Sequence, residues 1–209
     1  MRRLAVAVAA LALLLAGCSD VETSSGKPTF GGGSLDGGDP QSASVRSAVQ
    51  DAGVRPCSDL PLADASAEGD GALPTLELPC LGGDGSVDLS RLRGPAVVNF
   101  WASNCKPCRE ELPLLARLDR DTGDRLTVVG LDVRDADPDA AVALARRSGV
   151  TYPQLSDPTF RTRGAFRVLG LPQTVFVDAQ GRMVATERVP YTSYADLTGA
   201  VRQHLEVQP

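Results

Sequence analysis

The sequence predicts an α/β fold: a mixed central sheet with helices on both faces and an N-terminal β extension. Three observations lead there. "PAVVNFWA" and "RLTVVGLDV" are continuous apolar runs, as expected of strands buried on both faces. The stretch between them carries a helical period, and a helix between two strands is a crossover long enough for parallel pairing. Near the C-terminus "LPQTVFVDAQGRMVATERV" reads as two strands joined by a "DAQG" turn, a hairpin.

The elements follow in chain order. Residues 1–17 read as a signal peptide, with "MRR" as its basic end and "LAVAVAALALLLA" as an apolar region too short to span a bilayer comfortably. Residues 18–71 read as a flexible tether. Its Gly-, Ser-, Pro- and Asp-rich stretch has no apolar period, and a Gly-rich coil of that kind, roughly 38 residues to about residue 56, spans about 30–35 Å. Residues 72–209 read as the folded domain. "LPTLELPC" is a short strand, "GGDGS" a turn, and "VDLSRL" a further extended piece. The apolar run near 96–101 is the next strand. Residues 105–121 form a helix, because Cys108, Leu112, Leu115 and Leu118 recur at spacings of three and four.

The strand near 126–132 follows. "DPDAAVALARRSG" is a second helix, with Asp137 as N-cap, Pro138 in its first turn and Gly149 beyond its end. A short helix near "PTFRTRGAF", the hairpin and an amphipathic helix over "TSYADLTGAVRQHLEV" complete the domain. Aromatic residues make up only 4% of the chain, so its core must be built mainly from Leu, Val and Ala. The net charge is −5 and no Lys/Arg cluster stands out, which argues against nucleic acid as a partner.

Five cysteines carry the chemistry: Cys18, Cys57, Cys80, Cys105 and Cys108. An odd count in an exported chain needs an explanation. Cys18 ends "LAGC", which resembles a bacterial lipobox, and by that resemblance it is lipidated and anchors the mature protein outside the cytoplasm. Four cysteines remain. Cys105 and Cys108 are a natural couple, which leaves Cys57 and Cys80 for each other, as a structural bridge or as a second exchanging pair.

Three readings compete for Cys105-Lys106-Pro107-Cys108. A structural zinc wants four ligands, and Cys57 and Cys80 lack the paired spacing. A staple across two residues removes little unfolded-state entropy. A redox pair has a mechanism. Cys105 falls where a buried strand meets a helix start, so free backbone N–H groups and the helix dipole favour its thiolate. Cys108, one turn in, is better shielded. Cys105 would then attack a substrate disulfide and Cys108 would resolve the mixed disulfide.

"VVNFWASNCKPCREELPLL" resembles the active-site segment of the thioredoxin superfamily, and more narrowly that of the membrane-tethered, extracytoplasmic TlpA/ResA-like group. "GLPQTVFVD" is similar to that family's second landmark. The resemblance implies a thioredoxin-like fold with Pro172 at the cis-proline position opposite the dithiol and Leu171 beside it. It implies a site role for Glu111, three residues after the second cysteine. It implies thiol–disulfide exchange with exported cysteine-containing proteins, a membrane thiol-redox partner, and no cofactor. Both directions occur in the group, reduction of exported thiols before haem attachment to cytochrome c and oxidation to form disulfides.

Departures from the pattern matter as much. Asn99 stands where thioredoxins carry a buried aspartate. Asn104 replaces the tryptophan before the first cysteine and so changes the surface a substrate meets. Trp101, the only tryptophan, lies near that surface in sequence but reads first as core packing. Two other functions stay open: a non-catalytic binding lipoprotein whose disulfides are staples, and a thiol peroxidase, for which Ser103 is the one suggestive residue.

Overall fold

A computed structural model describes residues 38–209. The leader and Cys18 lie outside them. The central sheet has five strands in the order β5-β4-β3-β6-β7: β3 Ala96–Trp101, β4 Thr127–Val133, β5 Gln154–Asp157, β6 Gln173–Val177 and β7 Met183–Glu187. β3, β4 and β5 run parallel, while β6 and β7 are antiparallel additions on the other side of β3. A separate hairpin, β1 Glu77–Pro79 with β2 Ser86–Asp88, is the expected N-terminal extension.

β3 is apolar on both faces because both are covered. Val97 and Trp101 join one core with helices α1 (Ala43–Asp51), α2 (Lys106–Thr122), α3 (Pro138–Arg147) and α5 (Tyr194–Leu205). Ala96, Val98 and Phe100 join a second core, closed by the β1–β2 hairpin and by Phe166 at the end of the short helix α4 (Thr162–Ala165). Helices thus flank both faces, but unevenly. Asn99 is the one polar residue of β3, and the alternation points it toward α2. Asp137 caps α3 by accepting from the Ala140 N–H at 3.0 Å, and Gly149 follows the helix with φ +68°.

The flexible tether expected over residues 18–71 is corrected in its described part. Helix α1 is capped by Ser42, and its Val45 and Val49 are buried against Leu81 and α3. Gly82 makes that approach possible: a Cβ there would sit 2.3 Å from Val49 Cγ2. Arg46 pairs with Asp84, Arg55 pairs with Asp119 of α2, and the Gly82 N–H donates to the Pro40 carbonyl at 2.7 Å. Two valines at i and i+4 are too short an apolar stripe to show in sequence, so only the tertiary partner reveals the helix.

β5 is a second addition, since "QLSD" has neither an apolar run nor alternation. All four residues are buried because β4 pairs on one side and the N-terminal segment covers the other, through a Cys80–Leu155 bridge and a 2.9 Å bond from the Leu81 N–H to the Gln154 carbonyl.

Cys57 and Cys80 are joined, with Cα atoms 6.2 Å apart and 23 positions between them in sequence. The bridge fastens the N-terminal segment to the β1–β2 hairpin. Closing a loop of this length restrains the unfolded chain by about 3 kcal/mol. The Cys57→Ser/Cys80→Ser protein is therefore expected to unfold at lower urea, with its stability reduced by about that amount when read from denaturation midpoints.

Candidate active site

β3 ends at Trp101, a turn over Ala102–Asn104 follows, and α2 begins at Lys106. Cys105 is the N-cap, and its backbone is still extended (φ −82°, ψ 110°). Its Sγ accepts the Cys108 N–H at 3.2 Å, so a free donor of the helix end points at the sulfur. Cys105 is half-buried and Cys108 is fully buried. The two form a disulfide with Cα atoms 5.3 Å apart. Lys106 is exposed beside them, and Pro107 occupies the first helical turn, where its missing N–H leaves no vacancy in the ladder.

The turn before Cys105 is held by side chains. The Ser103 N–H donates to Asp135 Oδ2 at 2.6 Å, and Arg109 donates back to the Ser103 carbonyl at 3.1 Å. Behind Asp135, at the end of β4, Asp132 is buried. Burial first, and then the Asp135 and Asp157 carboxylates, push its carboxyl well above the usual range.

Glu111 lies three residues after Cys108, on the same side of α2, and is fully buried. Its Oε2 accepts Asn99 Nδ2 at 3.1 Å and its Oε1 accepts the Tyr191 N–H at 3.1 Å. Burial raises its pKa to about 7, although both hydrogen bonds pull the other way. Asn99 Nδ2 also reaches Thr174 Oγ1 of β6 at 3.3 Å. The buried carboxyl that β3 lacks is thus supplied from α2, and Asn99 holds it. Tyr191 was not among the sequence candidates. It is 80 positions from Glu111 and contributes a backbone N–H, which no side-chain pattern can announce.

Leu171–Pro172 is a cis peptide. The register pairs Phe100 with Gln173, so Pro172 falls opposite the end of β3, on the dithiol side of the sheet. Pro172 is buried and Leu171 half-buried, while Asn104 is exposed next to Cys105. Trp101 is the core residue that it first reads as, and its alternative place beside a substrate is corrected: it is wholly buried, and its Nε1 donates to Gln154 Oε1 at 3.0 Å. It packs the core, because the pleat turns it inward under α2.

A half-exposed sulfur at a helix N-cap, bridged to a buried one beside a cis proline, is built for thiol–disulfide exchange. The model of a family described as AhpC/TSA matches residues 70–186. This chain belongs to the AhpC/TSA family. Within it, the chain is 34% identical over 97 residues to a thiol:disulfide interchange protein DsbE homolog of Paracoccus denitrificans, covering 46% of this chain and 52% of that protein. It is 34% identical over 122 residues to the thiol:disulfide interchange protein HelX of Rhodobacter capsulatus, covering 57% and 67%. The chain spans between about half and two thirds of the length of these curated relatives. Among solved structures, a secreted Mycobacterium tuberculosis disulfide oxidoreductase homologous to Escherichia coli DsbE superposes with a TM-score of 0.57 at 25% identity, over 65% of this chain and 99% of that one. The fold is thioredoxin-like.

Glu111 gives this AhpC/TSA member a pH signature. Its folded pKa of about 7 lies above the ordinary 4.5, so the unfolded chain releases this proton first as pH rises. Folding is undisturbed by this group below about pH 4.5 and is progressively opposed up to about pH 7. Glu111→Gln should abolish that slope. Relative to the native chain the variant should gain up to about 3 kcal/mol between pH 4.5 and pH 7, read by urea denaturation across that range.

Proposed function

We propose that the protein is an extracytoplasmic thiol–disulfide oxidoreductase, anchored to the membrane through lipidated Cys18, that exchanges disulfides with exported proteins. The observation that carries this reading is the unequal burial of the two bridged sulfurs at the start of α2. Cys105, half-exposed and facing the Cys108 N–H, is the sulfur a partner can reach. In the reduced protein its thiolate attacks one sulfur of a substrate disulfide. That forms the mixed disulfide and expels the other substrate sulfur as a thiolate. Cys108 then loses its proton, attacks Cys105 Sγ and releases the second substrate thiolate. The substrate gains two electrons and two protons, and the Cys105–Cys108 bridge is restored.

Glu111 is the group placed to take the Cys108 proton, since its pKa of about 7 lets it hold or release a proton near neutrality. Its buried carboxylate also disfavours a neighbouring thiolate. By opposing the helix-end donor that favours the Cys105 thiolate, it makes the dithiol a weaker oxidant, which supports the reductive direction, such as keeping the thiols of apocytochrome c free before haem attachment. A membrane thiol-redox partner would then resupply the electrons. The Cys57–Cys80 bridge, with both sulfurs buried, serves as the structural disulfide.

Three measurements test this. Cys108→Ser should accumulate mixed disulfides on non-reducing gels that Cys105→Ser does not form; equal trapping by both variants would overturn the division of roles. A redox titration should give a midpoint near about −250 mV or below, whereas one near about −120 mV would reverse the direction. Cys18→Ala should free the chain from the membrane fraction.

A further inference from the structure

β7 is the outer strand of the sheet, and its free edge is already used once. At its start the Met183 N–H donates to the Gly71 carbonyl at 2.7 Å, and Ala72 bridges Arg182 in antiparallel fashion. Beyond Met183 no strand of the described residues pairs with that edge. Beside it lies an open groove of about 400 Å³ between the end of α4 and β7, lined by Phe166, Arg167, Val184, Thr186 and Arg188 among others.

Two features set the groove apart. The exposed large apolar side chains among the described residues are Leu169, Val184 and Val189, at 84%, 47% and 63% exposure. Val184 lines the groove, Val189 follows Arg188, and Leu169 stands two residues after Arg167. Arg167 and Arg188 form no ion pair or side-chain hydrogen bond among the described residues, although the chain as a whole carries a net charge of −5. The groove also runs along a strand directed toward the candidate active site. β7 runs toward the dithiol end of the sheet, where Glu187 pairs with Thr174 and the following loop gives its Tyr191 N–H to Glu111. Leu169 precedes Leu171–Pro172 on the other side of that opening.

We propose that this groove and the free edge of Val184–Arg188 bind an extended, acidic and apolar segment of the polypeptide substrate, adding it as a strand beside β7. The proposal rests on the exchange reading for the identity of the occupant. Five residues of edge offer about 16 Å of backbone pairing, enough for a short segment next to the substrate cysteine. Val184 meets its apolar side chains, and Arg167 and Arg188 meet its carboxylates.

The test uses the full chain and a fluorescein-labelled seven-residue peptide of alternating Glu and Val, without cysteine, followed by fluorescence anisotropy. Arg167→Glu/Arg188→Glu should weaken its binding by about tenfold or more at low salt, and the Lys/Val counterpart should bind the native protein more weakly by a similar factor. Val184→Pro, which blocks the edge without changing charge, should also weaken the Glu/Val peptide. Equal affinity of native and variant proteins for that peptide would overturn the proposal, as would undiminished binding of the Lys/Val peptide. Reduction of oxidised glutathione by the reduced native protein tests the exchange reading separately. Loss of that reaction in the native protein would instead remove the exchange reading, while the peptide measurement would still decide the groove.

Discussion

The carboxyl group of Glu111 is the constraint around which the candidate site is arranged. A fully buried carboxyl is tolerated only if its oxygens are met, and here they are met from two directions. Asn99 reaches it from β3 and Tyr191 from the loop after β7, and Asn99 extends the contact to Thr174 of β6. One group of α2 therefore fastens the dithiol helix to three other parts of the chain. The cost of keeping it out of water is recorded in its raised pKa, and that poise near neutrality is what a proton acceptor for the resolving thiol requires.

The position of Cys105 follows from the same junction. β3 stays buried on both faces to its last residue, so the chain must turn before it can expose anything. The turn is braced by Asp135 and Arg109 on Ser103, and the residue that caps the helix at its half-exposed start is Cys105. Three residues later Cys108 lies beneath the helix. The unequal burial of the two sulfurs is thus a consequence of helical geometry.

The N-terminal segment has a part in this arrangement. Residues 43–60 are packed on the sheet through Val45, Val49 and the Cys57–Cys80 bridge, and Arg55 pairs with Asp119 on α2. At the other end of that bridge Cys80 and Leu81 cover β5, whose Gln154 holds the Trp101 indole under the dithiol helix. A stretch whose composition looks like linker is therefore a layer of the domain.

Much of the fold was legible from local rules. The apolar runs of β3 and β4, the spacing of leucines along α2, the Asp137-Pro138 start of α3 and the hairpin near the C-terminus each obey a period or a capping preference that a few neighbouring residues suffice to express. Cys105 and Cys108 were legible for the same reason. Helix α1 and strand β5 were not, because their burial is supplied by partners distant in the chain. Nor could the sequence decide that Asn99 would hold Glu111, that Tyr191 would close the other side, or that Gln154 would hold the Trp101 indole. Those are contacts across 12, 80 and 53 positions, made only when β3, α2, β5 and the final loop are brought together. The sequence by itself determined which two sulfurs stand together at the helix start and where the strand gives way to the helix. Tertiary structure alone decided which carboxyl stands beside them and what shifts its proton, because desolvation and long-range hydrogen bonds exist only in the folded chain.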